Sequence, residues 1–308
     1  MLVYANFPRL FESRRGILPD ESYRLGTAGA EMGLRPLVNL VLVLALLSFD
    51  DPLEIIKKSV EANERNWKVA RNYTYTEREE ERDLNSDGSV KKTESHTYEV
   101  TMQEGEPYYR TILKDDKPLS PADEKKEQEK LDKSIRQREK ETPEQRAKRI
   151  AKFEKEREES RKFLREVTAA YDFKLEGEET IDGRATWVIR CTPRAGFQPA
   201  LKDAKILPKL QGKLWIDKEE NQWTKAEIEV IDTLSFGLAL IRVHKGTNIR
   251  FEATRVNDEV WLPKRTFLGG SARLAYFKNL RGEDESTFRD YKKFQVESKV
   301  TATAEVPQ

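Results

Sequence analysis

The chain has 308 residues, 37% of them hydrophobic and 36% charged, the charged share lying far above the usual quarter. Its 56 Lys and Arg nearly cancel its 55 Asp and Glu, so a net charge of +1 excludes a reader of nucleic acid or of an anionic membrane surface. The single cysteine, Cys191, excludes an internal disulfide framework and a cysteine-based zinc site.

Residues 1–31 read as an extension lying ahead of the true start at Met32. Residues 32–48, MGLRPLVNLVLVLALLS, carry Arg35 and then an apolar run from Leu37 to Leu47. That run is short for a bilayer span and has the layout of a cleaved signal peptide. An uncleaved membrane anchor and a buried core helix are the alternatives. No cysteine follows the run, so lipid attachment is not available to it. The expected location is the periplasm or outside the cell.

Asp51-Pro52 opens a predicted helix with Leu53, Ile56, Val60 and Trp67 on one stripe. The period then changes to two. Strands are expected from Asn72, over Val90–Met102 and over Pro107–Lys114. Between the first two, Asp83, Asn85, Asp87, Gly88 and Glu94 match the calcium-loop pattern D-x-[DN]-x-[DN]-G-x5-E. A working loop of that kind is flanked by helices, whereas strand composition flanks this one. An Asp-Gly turn closing a hairpin accounts for Asp87 and Gly88 without a metal.

Residues 120–166 form a charged insertion of helix formers, divided at Thr142-Pro143 and expected to be two solvated helices laced by charge pairs. Phe163 and Leu164 are positioned to dock its far end. Interleaved charge signs exclude a nucleic-acid contact, and a partner-binding arm is the functional alternative.

The sheet resumes at Tyr171–Glu178. Trp187, Ile189 and Cys191 alternate in the next strand, which marks Cys191 as a small buried hydrophobe rather than a reactive thiol. Gly212–Val230 is a hairpin that sorts its faces: Leu214, Ile216, Ala226, Ile228 and Val230 on one, Lys213, Trp215, Asp217, Lys225, Glu227 and Glu229 on the other. A two-stranded ribbon cannot bury that apolar face alone. Further strands are expected over Leu234–Val243, Thr247–Val256, Val260–Leu268 and Arg289–Val300, with a turn at Asn257-Asp258. The fold class is α+β: an incomplete antiparallel β-barrel of roughly ten strands with helices over its concave face. It spans residues 50–300 and leaves a tail at 301–308.

Several phrases stand together in one order: Ile181-Asp182-Gly183-Arg184 before the Trp187-Val188-Ile189 strand, Gly212-Lys213-Leu214-Trp215-Ile216-Asp217, Asn257-Asp258-Glu259-Val260-Trp261-Leu262-Pro263-Lys264, and Asp290-Tyr291-Lys292-Lys293-Phe294. Behind the apolar run and the helix, they resemble the outer-membrane lipoprotein-sorting (LolA-like) family over residues 50–118 and 168–300. The resemblance implies a half-barrel plugged by helices, with a cavity that in some members receives acyl chains. The insertion and the N-terminal extension depart from it.

The leading expectation is a non-enzymatic carrier of a lipid or of lipoprotein acyl chains, needing no cofactor. Its expected cavity lining is Trp187, Ile189, Leu214, Ile216, Ala226, Ile228 and Phe251. The alternative is an envelope interaction or sensor protein that engages a partner through residues 120–166. Catalysis is not expected: the two histidines, His96 and His244, stand in no nucleophile or metal spacing, and no phosphate loop occurs.

Overall fold

The computed structural model describes residues 50–103, 106–236, 241–274 and 278–294. The extension, signal peptide and tail expected over 1–48 and 301–308 lie outside them, as do Leu238, Leu240, Val296, Ser298 and Val300.

Helix α1, Pro52–Ala70, begins as its sequence dictates. The Asp51 carboxylate accepts from the Leu53 amide at 3.0 Å, and Pro52 takes the first turn, where an amide would have no partner. The helix buries Ile55, Ile56, Ser59, Val60 and Ala62.

Three strands follow: β1 (Tyr73–Leu84), β2 (Val90–Gln103) and β3 (Glu106–Lys114), then a short β4 (Lys117–Pro118). The charged insertion is α2 (Pro121–Glu139) and α3 (Pro143–Ala170). Thr142 caps α3 through a reciprocal box with Gln145. After β5 (Tyr171–Ile181) and β6 (Arg184–Pro193), a loop runs into a 3-10 turn (Asp203–Lys209). The remaining strands are β7 (Leu210–Asp217), β8 (Trp223–Val230), β9 (Leu234–Phe236), β10 (Ile241–Val243), β11 (Asn248–Val256), β12 (Val260–Leu274) and β13 (Lys278–Lys293).

The sheet runs β4-β3-β2-β1-β13-β12-β11-β8-β7-β6-β5, with β10 and β9 branching from β12. Its two ends do not meet, so it is an open antiparallel half-barrel of thirteen strands among the described residues. One edge is protected: α2 lies along β3, where the Glu127 carboxylate accepts from the Thr111 amide at 3.2 Å and Ser134 Oγ donates to Gln103 at 2.8 Å.

The observed elements depart from expectation in three places. Leu234–Val243 is two strands, β9 and β10, paired with Phe236 opposite Ile241, because an unbroken apolar run carries no period to mark a reversal. The closing strand starts at Lys278 rather than Arg289, because polar residues occupy both of its faces. In the central hairpin, Trp215 and Asp217 belong to the face expected to meet water, yet both are buried. Trp215 Nε1 donates to Glu179 at 2.8 Å, and Lys225 Nζ stands 4.3 Å from its ring centre.

Residues directly opposed across a ladder share a face. One row runs Leu175, Ile189, Leu214, Ala226 and Phe251 across β5, β6, β7, β8 and β11, then Thr266, Ser286, Glu79 and His96 across β12, β13, β1 and β2. The next runs Phe173, Cys191, Gly212, Ile228, Ile249 and Leu268, then Asp284, Glu81 and Glu94. The concave face therefore changes from oil to acid between β11 and β1.

Candidate functional site

The helices close over the apolar half. Ile55 and Ile56 of α1 and Phe163, Val167 and Ala170 of α3 join Trp187, Ile189, Leu214, Ile216 and Ala226 in one buried cluster. Polar tethers hold α1 in place: Trp223 Nε1 donates to Ser59 Oγ at 2.9 Å, and Gln222 Nε2 to the Ala62 carbonyl at 2.7 Å. Asn66 exchanges two hydrogen bonds with the backbone of Trp261.

Where the row reaches Cys191 and Gly212 the sheet has little side chain to offer. A Cβ on Gly212 would lie 2.1 Å from the Glu227 carbonyl oxygen, so only glycine fits there. Above this spot remains a cavity of about 120 Å³, partly open to solvent. Its walls are Phe163, Leu164 and Val167 of α3, Tyr171 of β5, Ile206 and Leu207 of the 3-10 turn, and Leu210, Leu214, Trp223, Ile228 and Ile249 of the sheet. The surface they present is almost wholly carbon.

Burial keeps two titratable groups of the wall, Cys191 and Tyr171, neutral. Burial pushes the Cys191 thiol up to about 12, which leaves it without the thiolate that reactivity needs. Burial likewise raises the Tyr171 phenol above its ordinary value, and its hydroxyl donates to the Leu207 carbonyl at 2.9 Å. Such a site can hold apolar matter.

Of the residues expected to line a cavity, Leu214 and Ile228 stand on its wall. Trp187, Ile189, Ile216 and Ala226 sit in the packed cluster, and Phe251 packs against it half-buried. Trp187 is also tied by its Nε1, which donates to Asp50 at 2.9 Å. The lining from α3 and from Ile206-Leu207 was not part of that expectation. Its sequence signal was present: Phe163, Leu164 and Val167 at helical spacing, and an apolar pair inside an otherwise polar, proline-bounded loop.

The calcium-loop residues occupy a β-hairpin. Asn85 accepts from the Gly88 amide, Asp87 accepts from the amide and hydroxyl of Ser89, and Asn85 Nδ2 donates to Ser89 Oγ. Asp83 and Glu94 lie in β1 and β2, with Glu94 opposite Glu81. In the acidic half of the face, Glu79, Glu81 and Asp284 bring carboxylate oxygens within 4.8 Å of one another, and the Tyr98 hydroxyl donates to Glu79 at 3.1 Å.

No protein-family model matches the sequence, and no curated protein matches it. Solved structures do. A domain assigned to outer membrane lipoprotein sorting, from Vibrio parahaemolyticus, is 12% identical, with 80% of this chain and 95% of that one covered and a TM-score of 0.33. A DUF1329 family protein from Desulfovibrio piger is 11% identical over 79% and 93%, with a TM-score of 0.29. A LolA superfamily protein from Nitrosomonas europaea is 10% identical over 80% and 94%, with a TM-score of 0.28.

Proposed function

We propose that the protein is a non-enzymatic binder of an apolar ligand, a lipid or the acyl chain of a lipoprotein, in the periplasm. The observation that carries this is the carbon-lined hollow between α3, the 3-10 turn and the apolar half of the sheet. Apolar surface moved from water into such a space gains about 25 cal/mol per Å², and a guest there needs no polar partner.

The test is direct. Protein purified without detergent and sprayed under native conditions should carry a lipid adduct, and a fluorescent fatty acid should bind saturably and be displaced by unlabelled lipid. Clean apo protein that binds no such probe would refute the reading.

A further inference from the structure

Beside the hollow, α3 changes from carbon to guanidinium. Leu164 belongs to the wall, and Arg161 and Arg157 precede it by three and seven residues, about 4.5 and 10.5 Å along the helix axis. Their side chains are only 32% and 14% exposed, so both lie on the inner side of the helix.

There they meet the end of α1. The Arg157 guanidinium stands 3.2 Å from the ring centre of Trp67, and Arg71, the residue after α1, approaches the same ring at 5.6 Å. Phe153, one turn earlier on α3, packs against that indole at 6.4 Å between ring centres. One arginine on an indole is a staple between two helices. A second and a third cation beside it repel the first, and packing gives no reason for them.

Their bonds are also incomplete. Glu154 pairs with Arg157 and Glu158 with Arg161, each at 2.7 Å, and both glutamates lie further toward solvent, at 48% and 38% exposure. Arg71 has no ion-pair partner among the described residues. The Nε–H groups of Arg157 and Arg161 are buried and find no acceptor among the described residues, a state that native structures seldom leave unanswered. Burial holds Arg157 below the usual guanidinium range; Glu154 pulls it up, and Arg161 and Arg71 push it down again. An anion between the three would supply the missing acceptors and cancel the repulsion. A carboxylate offers two oxygens, whereas three forks converging from two helices suit a tetrahedral oxyanion, and the planar fork matches phosphate oxygens.

We propose that Arg71, Arg157 and Arg161 form a phosphate-binding site at the Trp67 end of the α1–α3 contact, placed to take the phosphate head of a guest whose apolar tail enters the hollow. The tail rests on the reading of the hollow as a ligand site; the anion site does not. The near-zero net charge of the chain is no obstacle, since the attraction comes from three placed groups and not from a general field.

Calorimetry on the full chain with three probes, each below its micellar concentration, separates the two sites: inorganic phosphate, decyl phosphate and 1-decanol. Decyl phosphate should bind at least about tenfold more tightly than 1-decanol, the factor one charge-assisted contact supplies, and the advantage should shrink as salt is raised. Arg161→Gln should remove that advantage and leave 1-decanol binding unchanged, and Arg161→Lys should restore most of it. Arg71→Gln, at an exposed position, should weaken decyl phosphate without touching the fold. Inorganic phosphate bound as tightly as decyl phosphate, and lost in Arg161→Gln, would support the anion site and name free phosphate rather than a lipid head as its occupant. Equal binding of decyl phosphate and 1-decanol by wild type, or an advantage that Arg161→Gln and Arg71→Gln both leave intact, overturns the anion site while the hollow stands. Binding of inorganic phosphate that depends on Arg161, with no binding of 1-decanol, overturns the hollow and keeps the anion site, and binding of none of the three overturns both.

Discussion

Asp217 ends β7 fully buried, with the Arg184 guanidinium on both carboxylate oxygens at 2.6 and 2.9 Å and the amides of Glu219 and Glu220 at 3.1 and 2.7 Å. Burial alone would push its carboxyl up. The Arg184 guanidinium and the two amides outweigh burial and leave it below its ordinary 3.8. Because the folded value lies below the unfolded one, the stabilisation is fully present above about pH 4 and drains as pH falls through the folded value. Asp217→Asn should therefore flatten the acid limb of the stability curve, with the gap to wild type narrowing below that pH in urea titrations. Asp217→Ala should cost about 3 kcal/mol at neutral pH, since it leaves a partly buried Arg184 and two amides without their acceptor. The alternation of β7 set Asp217 on a polar face, and read alone it pointed to water. Its partner lies 33 positions earlier and arrives only through the β6–β7 register, which a single strand's pattern does not contain.

Among the elements, those with a clean period or a cap were legible. Asp51-Pro52 and Thr142-Pro143 start helices where their caps say they should, and Asn257 and Asp258 adopt the left-handed conformations of a tight hairpin turn, at φ 51° and 54°. The first part of β13 was not legible. Asp284 and Ser286 take its inward positions and Glu283 and Glu285 its outward ones, so no apolar alternation announces a strand. The charged insertion was recognised as helical, but its placement was not, because a charged helix gives no stripe to say what it covers. In the structure α2 shields the open edge of β3 through Glu127. Glu127→Ala should therefore uncover an unpaired strand edge and raise self-association seen by light scattering. Glu129→Ala, on the exposed side of the same helix, should not. Equal scattering from the two variants would deny α2 this role.

At the scale of the whole molecule, the half-barrel was readable because inward residues from β5 to β11 repeat every second position, but its division was not. Each strand announces its own apolar side, whereas the change from Leu214 and Phe251 to Ser286 and Glu79 along one row appears only once β1 and β13 pair. The same limit applies to the cavity. Sequence identifies which residues face inward, and Leu214, Ile216, Ala226 and Ile228 all do; it does not say over which of them the helices leave space. Packed and hollow positions should respond in opposite ways. Ile216 is fully buried in the cluster, so Ile216→Ala should cost about 2–5 kcal/mol, with weaker probe binding tracking the loss of folded protein. Ile228 is half-buried on the cavity wall. Ile228→Trp places a large ring in a space of about 120 Å³ and should abolish fatty-acid binding with little change in the unfolding midpoint, because the ring fills a void rather than displacing packed neighbours. Should Ile228→Trp unfold the protein as Ile216→Ala does, the hollow is too tight to be a site. Should it fold normally and still bind the probe at wild-type affinity, the guest sits elsewhere on the half-barrel.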